Sequence, residues 1–387
     1  MTYTINGREI VYSDIDRSLS ELSRRRSKLR KLITALTLGI ISTATFASSS
    51  LAEPVIERIG KTLFHPWGMD FLSDTSMIVT ERRGKMFKID LESGTRDELS
   101  GVPNVFSFRQ GGMLDVMVSN EDPSIIYYCY SRPEGNTAST AVDMAKLSGN
   151  DLTQTKTIFV ANNKSNASIH FGCRLETSGD KLFVTMGDRG SRFDAQDPKI
   201  HSGAVVRLNL DGTVPADNPN LDGWEPELYS KGHRNPQGMA LNPNNGELWL
   251  HEHGPRGGDE INVVKAGENY GWPIVSHGEE YAGGKIGIGT SSPEFEDPIW
   301  TWIPSIAPSG MAFYQGDMFP EFKDKLLVGS LKFRSLYAVD LKGDRPVSET
   351  PLLENTIGRM RDVAIGPDGS IYLLSDQKDG GLYRLSQ

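Results

Sequence analysis

"NPQGMALNPNNGELWLHEHG", Asn235 to Gly254, is the stretch whose pattern decides the fold. Apolar and polar residues alternate on both sides of an Asn/Pro/Gly turn, as two half-buried antiparallel strands require. "VAIGPDGSIYLL", Val363 to Leu374, repeats the design around Pro-Asp-Gly, a tripeptide whose fixed φ, side-chain acceptor and missing Cβ favour a turn. No segment after residue 52 sustains helical periodicity.

Working outward from Asn235, the same pattern occurs six times. The other copies are "HPWGMDFLSDTSMIVTERRGKMFKIDL" from His65, "GGMLDVMVSNEDPSIIYYCYS" from Gly111 and "FGCRLETSGDKLFVTMGDRG" from Phe171. "PSGMAFYQGDMFPEFKDKLLVGSL" from Pro308 and "RDVAIGPDGSIYLLSDQKDGGLYRL" from Arg361 complete the set. A four-stranded sheet cannot bury both faces alone, whereas six arranged radially pack face on face around a channel. The reading is all-β: one six-bladed β-propeller of four-stranded antiparallel blades over residues 53–387. Two β-sandwiches would not explain a repeat that continues evenly through the middle of the chain.

The first 52 residues differ from the rest. A cationic "SRRRSKLRK" precedes the apolar "LITALTLGIISTATFA" and the small-residue "SSSLA", the order of a secretory leader with an extended basic region. Ser50 and Ala52 fill the small positions, so cleavage is expected after Ala52 and a mature start at Glu53, with a periplasmic or secreted protein and no membrane span in the mature chain. The whole chain carries 41 Lys/Arg and 50 Asp/Glu, and removing a basic leader makes it more acidic still. That argues against a nucleic-acid or anionic-membrane partner, which needs clustered positive charge. The two cysteines, Cys129 and Cys173, show no zinc spacing. They are read as two buried thiols, with pairing left open.

A propeller brings equivalent positions of different copies together. Gln110 precedes copy two, His170 copy three, Arg234 and Asn235 copy four, and Arg359 and Arg361 stand at copy six, with Lys332 following copy five. Cations converging on one channel repel each other unless an anion sits among them, and guanidinium forks suit carboxylates. The loop "HEHGPRGGDEINVVKAGENYGWP", His251 to Pro273, is rich in glycine and oxygen donors, as calcium sites are. His251 and His253 do not make a zinc pair, because an i, i+2 spacing on a strand points them to opposite faces. No EF-hand or glycine-rich phosphate loop occurs.

"IHFGCRL", "MGDRG", "GHRNPQGMA", "EHGPRGGDEIN", "NYGWP" and "RMRDV", in this order, resemble the soluble aldose sugar dehydrogenases, the glucose/sorbosone dehydrogenases that use pyrroloquinoline quinone (PQQ). The resemblance implies oxidation of aldoses at C1 to the lactone, with PQQ and Ca2+ as cofactors and an external electron acceptor, a quinone or cytochrome. It implies a catalytic group of His170 as general base, Asp188 as the carboxylate orienting it, and Arg234 near the quinone oxygens. Gln110, His170, Arg234, Asn235, Tyr281, Lys332, Arg359 and Arg361 fall at cofactor contacts. Gly254 and Pro255 match carbonyls that hold the calcium bridging to PQQ, and Glu260 with Tyr270 match a separate structural calcium site. Cys173 departs from the family, which usually has glycine there. His277 to Phe295 reads as the substrate rim, and the assembly as a monomer or dimer. Two other functions suit a propeller: a non-catalytic extracellular binding module, which would tolerate loss of the base, and a calcium-dependent lactonase-type hydrolase. The hydrolase would need an acidic or amide metal cluster in the channel.

Overall fold

The computed structural model describes residues 53–387 and the backbone of a short hairpin, Thr2–Ile5 paired with Arg8–Val11. The hydrophobic run and cleavage site of the expected leader lie outside the described residues.

Residues 53–387 form six four-stranded antiparallel sheets in which sequence-consecutive strands are neighbours. The innermost strands are Pro66–Ser73, Met113–Val118, Gly172–Ser178, Pro236–Leu241, Pro308–Phe313 and Met360–Ile365. One feature is not visible in the repeat. Val55–Leu63, at the start of the propeller, pairs with Gly380–Ser386 at its end, so the outermost strand of the last blade comes from the other end of the ring. The ring is thereby closed by strand hydrogen bonds, and no blade is left incomplete.

The core is divided just as the sheets are. Six apolar clusters lie between successive blades, for example Trp249, Trp302, Leu326 and Val328 between the fourth and fifth, and Leu63, Val79, Phe87 and Leu374 between the sixth and first. Each blade thus buries both faces, as the alternating pattern demands. The recurrent Gly-Met of "WGMD", "QGMA" and "SGMA" answers crowding near the axis. A Cβ at Gly238 would overlap the His251 ring, and one at Gly310 would overlap the Asp362 carboxylate.

Two thiols were expected at Cys129 and Cys173; instead they form a disulfide joining the second and third blades. Neighbouring blades present their second and first strands to each other, which brings together two residues separated by 44 positions.

Candidate active site

Four antiparallel strands reverse direction at every step. The connections between blades and those between second and third strands therefore emerge at one end of the ring. There they enclose a cavity of about 160 Å³. Gln110, Asn235, Ala307 and Arg359 reach its wall from connections between blades, and Arg82, His253, Leu331 and Asp376 from connections after second strands. Trp67, Gln237 and Arg361 line it from the innermost strands. Of the sequence-derived positions, Gln110, Asn235, Arg359 and Arg361 share this wall. The second register supplied Arg82, His253 and Asp376, which sequence reasoning missed. The signal was available: "ERRG", "HEHG" and "LSDQ" each follow the second strand of a copy, as "MGDRG" does.

His170 stands in the turn before Gly172–Ser178 with φ of 53°. His65, Arg109 and Ala307 adopt the same left-handed conformation in the equivalent turns of other blades, so it belongs to the blade-to-blade connection. The backbone N–H of His170 donates to Gln110 Oε1 at 2.7 Å, and its Nδ1 lies 2.6 Å from Asp188 Oδ1. Asp188 also accepts from Gly190 N at 2.7 Å and from Trp272 Nε1 at 2.9 Å. Burial would raise the Asp188 pKa. The hydrogen bond and charge of His170, the Gly190 N–H and Arg234 outweigh it and hold the carboxyl below its usual value. Burial lowers the pKa of His170, supported by Arg234 and Arg189 and opposed by Asp188. The geometry is an imidazole with Nδ1 committed to a carboxylate and Nε2 free.

The cations at this mouth are incompletely neutralised. Arg361 pairs with Asp376 at 3.0 Å and donates to Gln237 Oε1 at 3.0 Å, yet its buried Nε has no partner. Arg359 donates to the Leu331 carbonyl at 3.1 Å. Among the described residues, neither Arg359 nor Arg82 has a salt-bridge partner. An anion with several carboxylates fits such a wall. Arg234 lies beside the cavity, donating to the carbonyls of His253 at 2.8 Å and Gly254 at 3.0 Å, with its guanidinium 5.3 Å from the Trp272 ring centre. Lys332 and Tyr281 do not reach the wall. Lys332 is exposed and holds the Ser305 carbonyl at 2.9 Å, and Tyr281 is 70% exposed.

A second crevice of about 20 Å³ adjoins the first through His253 and is lined by Glu252, Gly254, Gly258, Glu260 and Tyr270. Pro255, buried beside Gly254, is not on its wall. A Cβ at Gly254 would collide with the carbonyl oxygens of Gly257 and Gly258, so oxygens converge there. Burial, then the charge of Glu252, pushes the Glu260 pKa well up. Two facing acids in a space of one water-sized sphere, with carbonyls around them, suit a hard divalent cation.

His253 Nε2 donates to the Pro308 carbonyl at 2.7 Å, while His251 is buried with both ring nitrogens unpartnered. His201, Glu225 and Glu227 also cluster. There the backbone N–H of Asn162 donates to His201 Nδ1 at 3.1 Å, which leaves the proton on Nε2 and removes the lone pair a metal would need.

The other end of the channel is unlike the first. A cavity of about 240 Å³ is lined by Asp70, Asp115, Glu176, Asp362 and Arg174. Three of these carboxylates link blades, while Glu176 accepts from the adjacent Thr177 N at 2.9 Å within its own strand. Asp70 accepts from Val118 N at 2.7 Å, Asp115 from Leu175 N at 2.8 Å, and Asp362 from Met69 N at 3.1 Å. Arg174 Nη1 joins Asp115 at 2.9 Å to Asp362 at 3.0 Å. Asp70, Asp115 and Asp362 thus occupy hydrogen bonds that tie blade to blade, and sequence reasoning identified none of the acids at this end.

The model of the glucose/sorbosone dehydrogenase family matches residues 63–384. The chain is 39% identical to the aldose sugar dehydrogenase YliI of Escherichia coli over 357 residues, 89% of this chain and 96% of that one. Its fold superposes on the apo form of the soluble aldose sugar dehydrogenase from E. coli with a TM-score of 0.83, covering 86% of this chain and 99% of the other. The PQQ-bound aldose sugar dehydrogenase of Streptomyces coelicolor gives 0.71 at 26% identity, covering 87% and 98%. With the family model spanning nearly the whole propeller, the chain belongs to the glucose/sorbosone dehydrogenase family and is an oxidoreductase.

Proposed function

We propose that this protein oxidises aldoses at C1 to the lactone, using PQQ and calcium and passing electrons to an external acceptor. The observation that carries the reading is the His170–Asp188 pair beside a cavity walled by Arg82, Arg359 and Arg361. PQQ supplies a hydride acceptor, and calcium a Lewis acid for its oxygens.

His170 is neutral at pH 7, since its pKa lies below the ordinary histidine value. With Nδ1–H donated to Asp188, the Nε2 lone pair takes the proton of the anomeric hydroxyl. Asp188, held by three donors, keeps the tautomer and stabilises the imidazolium as it forms. Arg361, Arg359 and Arg82 would hold the cofactor carboxylates, Gln110 and Asn235 would contribute polar contacts, and Arg234 would stabilise negative charge as it develops. Arg234 donates to the Gly254 carbonyl, so it would have to share or release that oxygen when calcium is held by Gly254 and Pro255. Glu260, with Glu252 and the Tyr270 backbone, would hold the second ion. The Cys129–Cys173 disulfide supports an oxidising compartment, periplasmic or extracellular.

The test is reconstitution. Purified protein with PQQ, calcium, an aldose and an artificial electron acceptor should turn over, and calcium removal should abolish turnover. A fully loaded protein that leaves a panel of aldoses untouched would overturn the reading.

A further inference from the structure

The mouth of the cavity and the opposite end of the ring carry opposite charge, and the aromatic surface is confined to one of them. The connections that emerge at the mouth contain thirteen Lys/Arg and six Asp/Glu. Those at the far end, apart from the 265–299 crossover, contain four Lys/Arg and sixteen Asp/Glu. The crossover climbs to the mouth, where Trp272 meets Asp188 and Glu280 pairs with Arg192. It adds two basic and six acidic residues, and with all of them assigned to the mouth the face keeps a small basic excess that includes the cofactor-facing Arg82, Arg234 and Arg359.

Exposed aromatics follow the same division. Among the described residues, Phe108 is 60% exposed, Phe193 72%, Tyr281 70% and Phe333 39%. All four lie on mouth loops, of the second to fifth blades, and Ile288 and Ile303 are exposed on the same side. Exposed large apolar residues at the far side are aliphatic only: Val55, Val214, Leu221 and Val347.

We propose that the mouth face is a docking surface for an acidic electron-carrier protein that collects the electrons of sugar oxidation. This rests on the sugar-oxidising reading above. Each aldose converted to lactone releases two electrons and two protons. Two oxidised one-electron haem carriers take one electron each, and the protons pass to solvent. The carrier must come to the mouth, since the cavity opens there. Positive charge steers an acidic partner to that face and repels it from the far one, while aromatic side chains supply the apolar contact that interfaces favour. An anionic bilayer is the less fitting occupant, because a flat surface meets the whole face at once, the six acids of the crossover included. A small docking protein senses only charges within a Debye length of about 8–10 Å.

The experiment uses holoenzyme, glucose, and two small c-type cytochromes, one acidic and one basic, with a neutral redox dye as control. The second-order rate of acidic cytochrome reduction should fall about tenfold from low to physiological salt, while dye turnover stays constant. Replacing Lys199→Glu, Arg334→Glu and Lys378→Glu together should slow the acidic cytochrome about tenfold and leave the dye rate unchanged. The reversals Asp74→Lys, Glu247→Lys and Asp317→Lys at the far end should alter neither. A salt-independent rate, an equal effect of the far-end reversals, or a preference for the basic cytochrome overturns the proposal. So does co-sedimentation with anionic vesicles in place of cytochrome binding. Absence of dye turnover would instead defeat the sugar-oxidising reading. The surface is then decided by calorimetry of oxidised acidic cytochrome against the wild type and the mouth triple variant at low salt: binding weakened by the triple variant supports it, and equal or absent binding overturns it.

Discussion

The two ends of one channel use the same residue types for opposite purposes. At the far end Asp70, Asp115 and Asp362 each accept an N–H from the next blade, and Arg174 bridges two of them. At the mouth Arg82 and Arg359 have no carboxylate partner among the described residues, and Arg361 keeps a buried donor unpaired. The ends meet at a shared layer. Trp67 has Arg174 at 4.5 Å and Arg361 at 5.4 Å from its ring centre, and Gln237 accepts from Arg174 through its carbonyl and from Arg361 through its side chain. Charge compensated within the protein builds the ring, while uncompensated charge leaves a requirement that only a ligand can meet.

The comparison is sharpened most by removing the base. His170→Asn tolerates the left-handed backbone and should lower turnover about 10²–10⁴-fold with PQQ affinity nearly intact; turnover at saturating cofactor checks it, and an unchanged rate removes His170 from the mechanism.

Next comes a matched pair. Arg174→Leu strands two buried carboxylates and should cost about 3–5 kcal/mol in urea denaturation. Arg359→Leu, exposed and without an acid partner, should change stability by about 0.5 kcal/mol or less while weakening PQQ binding. Equal losses of stability would break the distinction between the ends.

The disulfide is buried, joins two blades and ends three residues from the base. Replacing both cysteines by alanine should lower stability by about 4 kcal/mol on the chain-entropy estimate for a loop of this length. Denaturation under oxidising conditions measures it, and a negligible loss would count against the staple.

The smallest effect is also the most diagnostic: the ends should respond to pH in opposite directions. Burial pushes Glu176 up to about 8 and Asp70 to about 6. Between about pH 4 and those values the native state keeps protons that the unfolded chain has released, so stability falls as pH rises. At the mouth, Asp376 is held low against its burial by Arg361 and Arg82, and His170 is held low by burial. Their contributions are lost as pH falls, His170's below about 6.5 and Asp376's below about 4, the unfolded values. Thermal melting from pH 2 to 9 should show both limbs, and Glu176→Gln should flatten the alkaline one. An alkaline limb unchanged in Glu176→Gln would remove that carboxyl as its source.

Much of this is legible in the sequence alone. Strand alternation and six turn-centred copies specify the blades, since burying two faces of a sheet leaves a local, periodic mark. The pre-strand register was equally visible, and Gln110, Asn235, Arg359 and Arg361 do share a wall. Other partnerships left no such mark. Cys129 with Cys173, Val55–Leu63 with the last blade, Trp272 with Asp188, and the carboxylate ties around Arg174 each join residues remote in sequence. Alternation depends on a residue and its immediate neighbours, so the chain alone determined the strands and their sixfold repeat, but not the blade that Val55–Leu63 completes. Which charges cancel and which remain unpaired depends on distances of a few ångströms between different blades, and only closure of the ring sets those distances.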